Sequence, residues 1–123
     1  MPRFLLVLSL LVLSLGCSDA AGPDGDGVRI RIGNDSESSF TSVAVTFPED
    51  QVDYGSVEAG STSDYRRVSV AYRMAYVFVR IGSTEQQIQP IDYVGEEPLE
   101  PGRYTYSLSF LDGYLQLELK RDD

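Results

Sequence analysis

The stretch Arg103-Tyr104-Thr105-Tyr106-Ser107-Leu108-Ser109-Phe110-Leu111-Asp112-Gly113-Tyr114-Leu115-Gln116-Leu117-Glu118-Leu119-Lys120 alternates on both sides of one dipeptide. Before Asp112, the side chains of Tyr104, Tyr106, Leu108 and Phe110 fall on one face; after Gly113, those of Leu115, Leu117 and Leu119 do. A period of two belongs to a strand with one buried face, because successive side chains point to opposite sides of the pleat. Asp112-Gly113 suits a two-residue turn whose positive φ angles match the twist of paired strands. The stretch therefore predicts a tight antiparallel hairpin.

The same period recurs toward the N-terminus. Val28, Ile30 and Ile32 alternate with Arg29 and Arg31, and a polar turn follows at residues 34–39. Residues 40–47 are rich in β-branched and aromatic side chains, with Val43, Val45 and Phe47 on one face, and Pro48, which has no N–H to donate, ends them. Residues 52–57 predict a short strand with a bulge or bend at Gly55. Residues 64–72 predict another, with Val68, Val70 and Tyr72 on one face, Arg66 and Arg67 as an outward charge pair, and a corner at Arg73. Residues 75–81 are apolar on both faces until Arg80, which predicts a central strand covered on each side. Residues 84–91 alternate poorly and read as an edge strand. No apolar spacing of three and four persists over three turns, so no helix is expected. Seven or eight short strands within residues 28–121, separated by turn residues, predict an all-β fold, a two-layer antiparallel β-sandwich.

Pro101-Gly102-Arg103-Tyr104-Thr105-Tyr106 resembles the tyrosine corner of immunoglobulin-like and fibronectin-like domains. That resemblance implies that the Tyr104 phenol bonds back to the preceding loop and that Tyr106 takes a core position. Prealbumin-like sandwiches share the Pro-Gly-x-Tyr entry, so both sandwich types stand as alternatives: immunoglobulin-like first, prealbumin-like second.

At the other end, Met1-Pro2-Arg3 precedes an apolar run from Phe4 to Leu15 relieved only by serines, and Gly16 and Cys17 follow. A basic start, an apolar stretch and a small residue are the parts of an export signal. Twelve residues of helix reach about 18 Å, well short of the ~20 residues a hydrocarbon core needs. Cys17 is the single cysteine of the chain, and its placement resembles the lipobox of bacterial lipoproteins. The resemblance implies cleavage between Gly16 and Cys17, a diacylglyceryl group on the Cys17 thiol and an anchor in the cell envelope, expected at the outer membrane. Ser14 stands where that family prefers leucine, a permissive variant. The alternative, an ordinary secretory signal, leaves an odd thiol in an oxidising compartment. Residues 18–27 hold no large apolar side chain and read as a flexible acidic tether. Within it, Asp24-Gly25-Asp26-Gly27 lacks the distal acid of a calcium loop and reads as solvated linker. The expected organisation is thus a signal peptide over 1–16, a lipidated cysteine and tether over 17–27, and one domain over 28–121.

Composition limits the chemistry. The chain carries 19 acidic and 10 basic residues for a net charge of −9, and loss of Arg3 with the signal adds one further negative unit. Such a surface repels nucleic acid and anionic headgroups. Histidine is absent, which eliminates Ser-His and Cys-His dyads and the familiar zinc sites. No phosphate-binding glycine loop occurs, and no metal or cofactor is expected. Carboxylates remain. Asp92, Glu96 and Glu97 as an acid-base pair for a glycosidic bond form the alternative reading, an envelope hydrolase acting on glycans. The long segment 89–99 mixes these acids with Ile91, Tyr93, Val94 and Leu99. Its apolar residues read as a plug at one end of the sandwich, and Asp92, Tyr93, Glu96 and Glu97 as a recognition loop for a protein or carbohydrate partner. The expectation is a monomeric, non-catalytic binding or structural module, tied to the membrane through Cys17.

Overall fold

The computed structural model of the chain describes residues 27–90 and 96–122. Eight strands run through them: β1 Val28–Asn34, β2 Phe40–Thr46, β3 Gln51–Val57, β4 Arg66–Val68, β5 Tyr76–Ile81, β6 Thr84–Ile88, β7 Gly102–Leu111 and β8 Tyr114–Arg121. They form two four-stranded sheets, in the orders β4-β1-β7-β8 and β3-β2-β5-β6. The sheets enclose one core in which Ile30, Ile32, Phe40, Val43, Val45, Val77, Val79, Tyr106 and Leu108 are fully buried. This is the β-sandwich that the alternation predicts.

The closing hairpin forms as read. β7 and β8 pair from Tyr104↔Arg121 to Leu111↔Tyr114, and Asp112 and Gly113 both take positive φ, 53° and 83°. Two positive φ angles define the turn whose twist suits a two-residue hairpin. Gly55 stands at a break in register opposite Val43, so the bend expected there is a β-bulge.

Three findings depart from the expectations. One pairing is parallel: β1 and β7 run side by side from Val28↔Gly102 to Asn34↔Leu108, while the other five pairings are antiparallel. In immunoglobulin domains the first two strands are neighbours in one sheet. Here β1 and β2 lie in opposite sheets, so the sandwich differs in strand order from the constant-type immunoglobulin domain. Second, the strand expected over 64–72 shrinks to β4. Beyond Val68, the Ser69 amide donates to the Asp50 carboxylate at 2.8 Å and the Ala71 carbonyl accepts from the Leu99 amide at 2.8 Å, so these groups are spent outside any ladder. Val70 and Tyr72 are only half-buried. Third, β5 is central but not covered on both faces. Val77 and Val79 are buried, whereas Phe78 is half-buried on the outer face, beneath the Arg80 guanidinium at 5.9 Å from its ring centre.

Two fully buried residues, Tyr106 and Asn34, make polar links out from the central β1–β7 pair. The Tyr106 hydroxyl donates to the Tyr72 carbonyl at 2.6 Å, and its ring stacks on Phe47 with centres 6.0 Å apart. Asn34, 2% exposed, is the second. Its amide donates to the Ser38 and Val57 carbonyls at 2.8 and 3.0 Å, and its side-chain oxygen accepts from the Ser36 amide and hydroxyl. One residue thus ties the end of β1 to the β1–β2 turn and to β3. Replacing Asn34 with alanine removes all four bonds and leaves the buried Val57 carbonyl without this donor, and the expected loss is about 2–4 kcal/mol of unfolding free energy. Denaturant unfolding should show a lower midpoint at an unchanged slope.

Candidate functional site

Strand directions give the sandwich two poles. Gly27, Asp50 and Ser69 line one hollow together, so the chain enters beside the β2–β3 turn. Gly102, beside Val28, and Arg121, beside Tyr104, lie at the same pole. The opposite pole carries the Asn34 turn and the tip of the β7–β8 hairpin, where Leu111 and Tyr114 are 63% and 71% exposed.

Of the residues singled out from the sequence, Gly16, Cys17, Asp92 and Tyr93 lie outside the described residues, as do Ile91 and Val94 of the expected plug. Glu96 and Glu97 are exposed, and Leu99 packs half-buried against the core. Among the described residues, no group of three or more acidic or sulfur ligands is placed to hold a metal. The Tyr104 hydroxyl donates to the Glu100 carbonyl at 2.7 Å, four residues back, and its ring is buried. That bond pins the segment entering β7 to the strand itself. A hollow of about 490 Å³ opens near this pole, walled by Phe47, Pro48, Tyr72, Tyr76 and Pro90. Arg66 is exposed, as expected, but it is engaged: it donates to the Asp53 carbonyl at 3.2 Å and its guanidinium lies 5.8 Å from the Tyr54 ring centre.

The densest polar constellation lies elsewhere, on the outer face of the β4-β1-β7-β8 sheet. Asp122 Oδ2 accepts from the Thr105 hydroxyl at 2.6 Å and from the Tyr65 hydroxyl at 2.8 Å. Arg31 Nε donates to Thr105 Oγ1 at 2.9 Å and stands 3.6 Å from the same carboxylate oxygen. The Arg31 and Arg103 guanidiniums lie 4.8 and 5.9 Å from the Tyr65 ring centre. Burial raises the Tyr65 phenol above its ordinary pKa; the hydrogen bond to Asp122 and that carboxylate's charge add to the effect, while Arg31 and Arg103 oppose it. Tyr54, whose hydroxyl donates to the Ile30 carbonyl at 2.9 Å, is pushed well up by burial against the pull of Arg66.

Sequence reasoning missed this cluster. Its members sit on four segments, and only the parallel β1–β7 pairing sets Arg31 beside Thr105. Local alternation carries no signal for it, since Arg31 and Thr105 come from strands far apart in the chain.

No protein-family model matches the chain, and no curated protein matches it in sequence. The NMR structure of a protein from Eubacterium rectale is similar in fold, with a TM-score of 0.56 at 11% identity over 88% of this chain and 98% of that one.

The raised Tyr65 phenol carries a pH consequence. Its bond to Asp122 contributes below about pH 10, the ordinary phenol value, and is lost as pH rises through the higher folded value. Removing the carboxylate in Asp122→Ala takes away two of the causes that raise it, so alkaline titration by phenolate absorbance should show Tyr65 ionising at lower pH. The same variant should lose about 1–2 kcal/mol of stability at neutral pH, because two hydroxyls lose their acceptor.

Proposed function

We propose that this chain is a cell-envelope lipoprotein, held by lipid on Cys17, that displays its sandwich as a non-catalytic binding module. The observation that carries the proposal is the apolar run ending in Gly16-Cys17, followed at once by a tether free of large apolar residues. The fold is compatible with that use. The chain enters at one pole, and the hairpin tip with Leu111 and Tyr114 stands at the other. A lipid at Cys17 then leaves the far pole and both sheet faces open to the surroundings. The placement expected is the outer membrane.

Binding rather than catalysis is supported by the residue inventory. A chain without histidine, and with a single cysteine assigned to the anchor, has no Ser-His or Cys-His pair.

Changing Cys17→Ser should abolish lipid attachment. The variant is expected to lose the mass of the lipid and to leave the membrane fraction, appearing as unprocessed or soluble protein. Fractionation with membranes as in the wild type would contradict the anchor.

A further inference from the structure

Beside the Asp122 cluster, the outer face of the β4-β1-β7-β8 sheet holds a groove of about 260 Å³. Gly33, Thr105 and Ser107 form its floor, Thr62 stands on one side, and Lys120 on the other. The floor is low because its residues are small. A Cβ on Gly33 would stand 3.0 Å from Thr105 Cγ2, so glycine at this position keeps the two strands' outer faces flush.

Two observations mark the groove as a place for a ligand. The first is Ser107. It is 7% exposed, it faces the groove, and its hydroxyl makes no hydrogen bond to any described residue. Its neighbour Thr105, equally buried, has its hydroxyl fully engaged by Asp122 and Arg31. Burying a hydroxyl without a partner is unfavourable, and the usual remedy is a group that enters from outside. The second is the balance of charge. Arg31 and Lys120 face Asp35 and Asp122, two of each sign, within a chain of net charge −9. Among the described residues, Lys120 and Asp35 make no ion pair. Donors and acceptors are therefore interleaved at short range with no net charge, which disfavours both cations and anions and suits a neutral ligand. Each hydroxyl of a sugar donates and accepts at once, and adjacent sugar hydroxyls satisfy such a mixed set.

We propose that this groove binds one unit of a neutral saccharide, with the Ser107 hydroxyl and the Lys120 ammonium as hydrogen-bonding partners. The inference names the ligand class of the binding module proposed above. It rests on that reading only in taking the domain to act by binding, and it needs nothing from the lipid.

The test is a titration of the full-length, ¹⁵N-labelled chain with glucose, galactose, N-acetylglucosamine and their disaccharides, followed by amide shifts, with sulfate and acetate as charged probes. At least one neutral sugar should give saturable shifts gathered at Gly33, Thr62, Ser107 and Lys120, in the millimolar range. Ser107→Ala should weaken that binding about tenfold, the loss of one buried hydrogen bond. Lys120→Gln, a change at an exposed position, should weaken it in the same direction with an unaltered Tm. The proposal is overturned if no sugar gives saturable shifts in the groove, if binding survives both variants at full strength, or if sulfate or acetate occupies the groove instead. Membrane fractionation of Cys17→Ser reads the anchor separately, so either reading can fail alone.

Discussion

The parallel pairing of β1 with β7 is the contact on which the rest of this sandwich depends. It joins the first strand to the seventh over seven residue pairs, across a separation of more than seventy residues. Closing so long a loop has an entropic cost that is recovered only once the partners are in register. The register explains the recovery. Ile30↔Tyr104 and Ile32↔Tyr106 place four buried side chains of two adjacent strands on the same inner face. β4 and β8 then attach to this central pair as edges, and the second sheet covers it with Val43, Val45, Val77 and Val79. The polar links end on the same pair or its close neighbours. Tyr54 reaches the Ile30 carbonyl, Tyr106 reaches Tyr72, and Asn34 closes the far end of β1.

The same pairing creates the polar face. Because β1 and β7 are neighbours running in one direction, Arg31 stands beside Thr105, and Gly33 beside Ser107. The alternation that sends tyrosines and isoleucines inward necessarily sends this short, hydroxyl-rich series outward. Among the described residues, Thr105 and Ser107 are nevertheless buried, although they point away from the core. A sheet face with a low polar floor and charged walls is a consequence of register as much as of composition.

Period two made most of the strands legible. The Asp112-Gly113 hairpin, the β1 alternation, the end of β2 at Pro48 and the bend at Gly55 all follow from local rules, and local rules held because each turn residue agrees with its strands. What alternation does not encode is which strand lies beside which. The parallel neighbour of β1 is therefore invisible in its own seven residues, and with it the cluster around Asp122. The overlong reading of residues 64–72 has a related cause. Val68, Val70 and Tyr72 keep the period, but the Ser69 and Ala71 backbone groups bond to Asp50 and Leu99, partners distant in sequence. The acids at 92, 96 and 97 stand out by loop length and charge, whereas no local pattern distinguishes the buried hydroxyl of Ser107 from a solvent-facing one.

Native-state hydrogen exchange tests the central role of this pairing most directly. If β1 and β7 are the mutual support of the fold, the amides bonded between them exchange only through global unfolding, at the free energy measured by denaturant. Those of β6 and the β8 edge should open below it. Exchange of the β1 amides at a markedly lower free energy than those of β2 and β5 would contradict the account, since β1 would then be a strand that peels away while the sandwich persists.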